Sequence, residues 1–453
     1  MKSFGTTEYE TDGVIFLNKP IIVLVILMFL FASTGCSSKS GKEESVKGPE
    51  ATAEVKPVEL SVYRFRTNLT DDEFKAYFVE PIGKKYPHIT LKMIVEDKGT
   101  TPEELLAAGV FPDIVFTSTS DIQRLKDFKV VQNLDDYVKK TNLDLSKVNP
   151  VIIESIKQFD DRGELPALPF AVGVGVMLYN KDIFDKFGEK YPRDLMTWEE
   201  VLQIAKRLSR EEGGIKYIGF DPSEPALIAS QLSLPFVDPV TNKSVIDSDD
   251  WKKVFQMVQQ SYEASGIMKN EVPIGREVFM KDQKLAMFPL WADNFVGRFE
   301  DESKKGEFNL NWDMVALPNF PEAVGTGRES TTQSMVLSNL SKHKEEAFRV
   351  MAYMLSDDVQ IEVSKQGRVT PLKSTEIQKV FGANLQSMKG KHIEAFFKAA
   401  PRKLHKPSPY DQTIVRPEAA NAAVLIRKGQ DLNTVIRTAK ETADKRIEAA
   451  LKK

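Results

Sequence analysis

Short apolar segments alternate with amphipathic ones along most of the chain. Residues 58–63 alternate apolar and polar side chains and are rich in β-formers, which predicts a first strand. Residues 71–85 predict a helix and residues 89–95 a second strand. Strands followed by helices are typical of α/β proteins, so we expect an α/β fold with mostly parallel sheets flanked by helices.

The middle of the chain repeats this order. Residues 172–179, with two glycines, and residues 215–220 predict further strands. Thr197 and Glu200 have the spacing of a capping box, which predicts a helix that begins at Trp198. Long amphipathic helices are predicted over residues 251–264, 344–355 and 433–451.

An uncharged apolar run lies near the start of the chain, at residues 21–32. It is shorter than the roughly 20 residues that span a bilayer and has the length of a signal-peptide core. The small residues before Cys36 resemble a bacterial lipobox, although Ser33 stands where that pattern prefers leucine. The resemblance implies a lipoprotein signal peptide over residues 1–35 and a lipidated Cys36, whose acyl chains would anchor the protein in the membrane.

The segment after Cys36 is rich in Ser, Lys, Glu, Gly and Pro and predicts a flexible tether over residues 36–57. The alternative for Cys36 is a free thiol behind an ordinary signal or an uncleaved anchor. The upstream acids Glu8 and Glu10 are unusual before a signal core. Translation that starts near Val14 or Leu17 accounts for them.

Composition excludes several classes of protein. The 453 residues carry 62 Lys+Arg and 65 Asp+Glu, a net charge of −3, which gives no basic surplus for nucleic acid. One cysteine and four histidines exclude an internal disulfide and leave little material for a metal site, so we expect no metal and no cofactor. A chain of this length exceeds one usual hydrophobic core, and we therefore expect two lobes.

Residues 168–184, LPFAVGVGVMLYNKDIF, resemble the central signature of bacterial extracellular solute-binding proteins of the maltose-binding type. Further segments resemble later motifs of that family in the same order, at residues 197–200, 279–291, 316–318, 341–347 and 367–371. Within the second of these, Gln283 replaces a usual glycine. The resemblance covers about residues 60–449 and implies a two-lobed periplasmic-binding-protein-like fold of type II with a hinge between the lobes.

The resemblance also implies how the lobes and partners are arranged. One lobe is expected to hold residues 58–169 with 315–375, and the other residues 170–314 with 376–453. A carbohydrate, expected to be an oligosaccharide, would bind between them and pass to the permease subunits of an ABC importer. We therefore expect a monomeric binding protein rather than an enzyme, lipid-anchored on the extracellular face of the cell membrane.

Aromatic residues are the first candidates for ligand contact, since a sugar ring has an apolar face. Trp291, predicted on a loop, matches a family tryptophan that stacks on sugar; the alternative is a tryptophan at the edge of the core. Asp293 and Asn294 follow it, and Phe170 matches a hinge aromatic that lines the cleft. Tyr410 is a candidate lid.

Polar candidates follow the predicted strands, because ligands bind at the carboxyl ends of strands in α/β sheets. Glu224 resembles a sugar-binding Glu–Pro pair, but Ala226 replaces the aromatic that follows it in maltose-type proteins, which argues against a maltodextrin ligand. The remaining candidates at strand ends and in a glycine-rich loop are Thr117, Ser118, Arg64, Asp97, Lys98 and Arg328. An acidic sugar is a further possibility if Arg64, Arg66, Lys98 and Arg328 converge.

Enzymatic alternatives rest on weak signals. Ser341 and Lys344 have S-x-x-K spacing but no companion motifs, and Ser341 is placed to cap the following helix. Because paired carboxylates suffice for sugar hydrolysis, a secreted glycoside hydrolase stays an alternative. A sugar sensor or adhesin that uses the same fold without transport is another.

Overall fold

The computed structural model describes residues 56–306 and 308–452, without the side chains of Asp293 and Asn294. The predicted signal peptide, Cys36 and nearly all of the predicted tether lie outside the described residues. Lys56 and Pro57, the end of that tether, are exposed. Within the described part of the chain, none of the helices has both the length and the apolarity to cross a membrane.

The strands are β1 Val58–Phe65, β2 Ile89–Val95, β3 Ile114–Ser118, β4 Leu168–Gly173, β5 Gly175–Asn180, β6 Arg210–Glu212, β7 Ile215–Phe220, β8 Leu285–Trp291, β9 Trp312–Ala316, β10 Thr326–Glu329, β11 Thr331–Leu337 and β12 Ala400–Arg402. The α-helices are α1 Asp71–Phe74, α2 Glu80–Lys85, α3 Pro102–Ala107, α4 Ile122–Asp127, α5 Asp135–Thr141, α6 Pro150–Lys157, α7 Lys181–Phe187, α8 Trp198–Leu208, α9 Pro225–Ala229, α10 Asp249–Ala264, α11 Arg276–Met280, α12 Ala292–Lys304, α13 Lys344–Tyr353, α14 Asp357–Lys365, α15 Thr375–Lys379, α16 Arg416–Arg427 and α17 Leu432–Leu451.

Two five-stranded sheets organise these elements. The first has the order β2-β1-β3-β11-β4, the second β6-β7-β8-β5-β9, and β10 pairs with β12 in a small third sheet. The α/β class is confirmed, but the expectation of mostly parallel sheets is wrong. β11 lies between β3 and β4 in the first sheet and runs antiparallel to both. β5 likewise runs antiparallel to β8 and β9.

Each large sheet has its own hydrophobic core. The first core, around the β1 sheet, buries Tyr63 and Phe116. The second core, around the β5 sheet, buries Trp198, Trp251 and Trp312. Two separate cores agree with the expectation from chain length. The residue boundaries given above for the lobes stay a prediction.

The chain passes between the cores where one predicted strand is in fact two. Residues 172–179 divide at Val174 into β4, in the first sheet, and β5, in the second. Gly175 makes this crossing possible, because a Cβ atom there would lie 3.2 Å from Leu317 Cδ2 and 3.7 Å from the Trp291 ring. A larger residue at this crossover would force the Leu317 side chain to shift.

One predicted helix cap is confirmed and another is not. Thr197 and Glu200 form the predicted capping box of α8. Ser341 does not cap α13, which begins after His343 without a side-chain cap. The Ser341 hydroxyl instead donates to Asp113 Oδ1 at 2.6 Å and accepts the His343 N–H at 3.0 Å.

Candidate functional site

A cavity of about 210 Å³ opens between the two cores. Ser118, the last residue of β3, and Ser120, just after it, form one wall, and Ala226 and Trp291 of the second core form another. The remaining wall comes from the end of β10, the start of β11 and the segment that leads into α16. It includes Arg328, Glu329, Thr331, His405, Ser408, Asp411, Gln412 and Arg416.

Trp291 lies in the cavity wall, but not on the predicted loop. It is the last residue of β8 and immediately precedes α12. Its side chain is half-buried, and the Arg328 guanidinium lies over its ring. Arg328 also donates from Nη2 to Thr331 Oγ1 at 2.7 Å. A cation therefore covers the aromatic face that was predicted to meet a sugar.

Ser118 and Thr117 point in opposite directions, as neighbours on a strand do. Ser118 lines the cavity, and its hydroxyl is 3.0 Å from the Ser120 hydroxyl. Thr117 is fully buried in the first sheet and does not reach the cavity, so its predicted ligand contact is not supported. Its hydroxyl has no hydrogen-bond partner among the described residues.

Glu224 lies behind the cavity wall rather than in it. It precedes α9 and binds Arg416 through both carboxylate oxygens, with Nε at 3.2 Å from Oε2. Arg416, not Glu224, lines the cavity. Glu224 can therefore orient a cationic side chain toward a ligand without contacting the ligand itself.

Phe170 is a core residue, and its predicted place in the cleft is wrong. Its side chain is fully buried in the first core, where its ring stacks on Phe78 at 5.3 Å and meets Phe116 edge-on at 5.3 Å. Tyr410, the candidate lid, packs against the second core instead, while its neighbours Ser408 and Asp411 line the cavity.

Three charged candidates lie away from the cavity. Arg64 donates to the carbonyl of Leu69 at 2.5 Å. Asp97 and Lys98 are exposed in the turn after β2, the edge strand of the first sheet that lies farthest from β4. Arg66 pairs with Asp121 at 3.3 Å. The convergence on an acidic sugar is therefore not found, since Arg328 alone of the four cations proposed for it lines the cavity.

Asp293 and Asn294 lie in the first turn of α12, directly after Trp291. Their side chains lie outside the described part of the structure, so their contact with a ligand stays a prediction. Among residues 56–306 and 308–452, no cluster of His, Cys, Asp and Glu has the arrangement of a metal site.

A buried charged cluster in the cavity wall was not predicted. His405 Nδ1 lies 2.7 Å from Glu329 Oε1, and Nε2 lies 3.2 Å from Asp411 Oδ2. Burial disfavours the charged ring, but the hydrogen bonds to Asp411 and Glu329 outweigh burial and raise the pKa of His405 to about 10. His405 and Glu329 are 76 positions apart in the sequence, so sequence patterns do not reveal this contact. The one sequence signal that could have pointed to this cluster is the rarity of histidine, with four in the whole chain.

Comparison with known proteins identifies a family and relatives that this chain resembles. The model of a family described as bacterial extracellular solute-binding protein matches residues 78–385. The arabinooligosaccharide-binding protein of Bacillus subtilis (strain 168) is 23% identical over 372 residues, which cover 74% of this chain and 76% of that protein.

Solved structures agree on the fold. A sugar transporter from Rhizobium etli, in an open conformation, aligns with a TM-score of 0.69 at 19% identity, covering 85% of this chain and 99% of that one. A substrate-binding protein from Listeria monocytogenes, in complex with cycloalternan, aligns with a TM-score of 0.66 at 17% identity, covering 87% and 100%.

These matches confirm two predictions made from the sequence segments, the two-lobed binding-protein fold and the substrate-binding function. The family is extracellular, which also confirms a location outside the cytoplasmic membrane. This chain belongs to the family of bacterial extracellular solute-binding proteins.

Proposed function

We propose that the chain binds a sugar or oligosaccharide in the cavity between its two cores and hands it unchanged to the permease of an ABC importer. The observation that carries this proposal is the composition of the cavity wall, which joins an indole ring to hydroxyl, carboxylate and guanidinium groups from both cores. Such a mixture suits the apolar face and hydroxyl rim of a sugar. A relative named as an arabinooligosaccharide-binding protein and a structural neighbour solved in complex with cycloalternan support a saccharide ligand.

Closure of two lobes would couple binding to delivery. Residues 58–169 with 315–375 form one lobe in this proposal, and residues 170–314 with 376–453 the other. A ligand that contacts Ser118 on one wall and Trp291 on the other gains both sets of contacts when the lobes approach. Binding therefore favours the closed population, which is the form a permease could distinguish.

Stacking on Trp291 requires a rearrangement. The guanidinium of Arg328 occupies one face of the indole ring, so a sugar that stacks on that face must displace it. The displaced guanidinium stays close to the ligand because the Arg328 Cδ atom lies at the Gly175 crossover, 3.8 Å from the position of a Cβ there.

The N-terminal region would hold this binding protein at the cell surface. Lipidation of Cys36 anchors the chain, and residues 36–57 let the body reach a permease while it remains tethered. In this proposal the protein acts as a monomer on the extracellular face of the membrane. Mass spectrometry of the protein expressed in its host tests this part, since a free Cys36 thiol would contradict it.

A sugar panel with two readouts tests the function. We expect arabinotriose, mannotriose or maltotriose to raise the unfolding temperature, while chromatography recovers the sugar intact. Trp291→Ala should abolish the shift, and Tyr191→Ala, which removes an exposed aromatic outside the cavity, should leave it unchanged. Hydrolysed sugar would point to a glycoside hydrolase, and no stabilisation by any sugar would contradict the proposal.

A further inference from the structure

We propose that Asp411 accepts a hydrogen bond from a ligand hydroxyl, that His405 positions Asp411 for this contact, and that the site selects uncharged saccharides over acidic ones. This inference rests on the proposed function and narrows its ligand class. It begins from an unsatisfied oxygen atom in the cavity wall.

Among the described residues, hydrogen-bond donors reach only one of the two carboxylate oxygens of Asp411. Oδ2 accepts the Ser408 N–H at 2.7 Å and lies 3.2 Å from His405 Nε2. Oδ1 is buried and accepts no hydrogen bond from the described residues. The whole residue is only 3% exposed, yet it lines the cavity.

A buried carboxylate oxygen without a donor is costly, and folded proteins rarely leave one unmatched. The protein side of Asp411 is already occupied by His405 and Ser408. The missing donor is therefore expected from the cavity. A sugar hydroxyl supplies such a donor, whereas the carboxylate of an acidic sugar would bring a second acceptor to the same place.

His405 holds Asp411 in this orientation. Glu329 Oε1 accepts from the His405 backbone N–H at 2.7 Å and lies 2.7 Å from ring Nδ1, so the imidazole is fixed from its other side. Phe236 contacts the ring edge-on at 6.0 Å between centroids. With both nitrogens engaged by carboxylates, the ring has no freedom to turn away from Asp411.

The charges around the cavity leave no surplus for an anion. The positive groups in the wall are Arg328, Arg416 and the His405 ring, and the negative ones are Glu329 and Asp411. Arg416 is in turn neutralised by Glu224 behind the wall. The balance of charges therefore gives no reason to expect an acidic ligand.

Isothermal titration of the mature protein tests the inference. The probes are arabinotriose, mannotriose, maltotriose and the anionic trigalacturonate. We expect wild type to bind at least one neutral probe about tenfold or more tightly than trigalacturonate. Asp411→Asn should weaken that binding by about tenfold or more, because the amide can turn a donor toward the ligand.

Asp221→Asn is the matched control, since Asp221 is 2% exposed in the body of the protein and does not line the cavity. We expect its affinity to stay within about twofold of wild type. His405→Gln should weaken binding in the wild-type background. In the Asp411→Asn background the same change should have little further effect, because a positioning residue acts through the residue that it positions.

Three results would overturn the inference while leaving the proposed function intact. They are tighter binding of trigalacturonate than of every neutral probe, unchanged affinity in Asp411→Asn, and equal losses from His405→Gln in both backgrounds. The comparison of trigalacturonate with the neutral probes uses only the wild-type protein. It therefore tests the inference even if Asp411→Asn does not fold. Failure of all four probes to bind would instead contradict the proposed function, and this inference with it.

Discussion

The guanidinium group of Arg328, in β10, lies over the indole ring of Trp291, the last residue of β8. The two residues come from separate parts of the chain and meet in the wall of the cavity. A cation therefore occupies the aromatic face that would receive a sugar.

Replacing this cation tests whether it competes with the ligand. Arg328→Met should increase the affinity for a neutral oligosaccharide a few-fold, because the cation–π contact, worth about 0.5–2 kcal/mol, no longer has to be broken. Isothermal titration measures the change. Arg124→Met is the control, since Arg124 also lies over an aromatic ring, Phe65, but outside the cavity. A loss of affinity in Arg328→Met would show that Arg328 contributes more to the bound ligand than to the covered ring.

The buried histidine makes stability depend on pH with a defined sign. His405 has a pKa of about 10 in the folded protein and about 6.5 when unfolded, so folding favours the protonated ring. The stabilisation from this charge is fully present below about pH 6.5 and is lost as pH rises toward 10.

We therefore expect the difference in free energy of unfolding between wild type and His405→Gln to be largest near pH 6 and to shrink toward pH 10. Urea denaturation at several pH values measures it. The exposed His343 provides the control, because His343→Gln replaces a histidine that lies outside the buried charged cluster. A difference for His405→Gln that grows with pH would contradict the charged cluster.

Two substitutions of Phe170 test whether this residue stabilises the core or binds the ligand. Phe170→Ala removes a ring that packs against Phe78 and Phe116, and should lower the free energy of unfolding by about 3–5 kcal/mol. Phe170→Leu keeps most of the volume and should remain folded with unchanged affinity for sugar. Urea denaturation and titration measure the two effects. If Phe170→Leu folds but loses affinity for sugar, Phe170 contacts the ligand after all.

A larger side chain at the Gly175 crossover should lower stability. Gly175→Val places methyl groups against Leu317 and the Trp291 ring, and should lower the free energy of unfolding by about 1–3 kcal/mol. Gly83→Ala is the control, because α2 has open space around Gly83 and alanine favours helix by about 1 kcal/mol. Equal stability of Gly175→Val and wild type would mean that the crossover is less crowded than described.

Local chemistry explains which features were predictable from sequence. The alternating residues of β1, the capping box at Thr197 and the boundaries of β2 and β7 follow from neighbours within a few positions. The segments shared with the family predicted the fold, because all of them lie within residues 78–385, which the family model matches.

Features that depend on distant partners could not be predicted in this way. The antiparallel insertion of β11 joins it to strands that lie far away in sequence. Phe170 could face the core or the cleft by pattern alone, and only the position of Phe78 decides it. Asp411 likewise lacks a local motif, because His405 and Glu329 reach it through the fold. Its unpaired oxygen becomes visible only with the cavity in place.

Small-angle X-ray scattering with and without sugar tests the central claim that a ligand is gripped between two lobes. At a concentration of oligosaccharide that saturates binding by titration, the radius of gyration should fall, and Trp291→Ala at the same concentration should show no change. Identical scattering curves for free and saturated wild-type protein would contradict closure around the ligand.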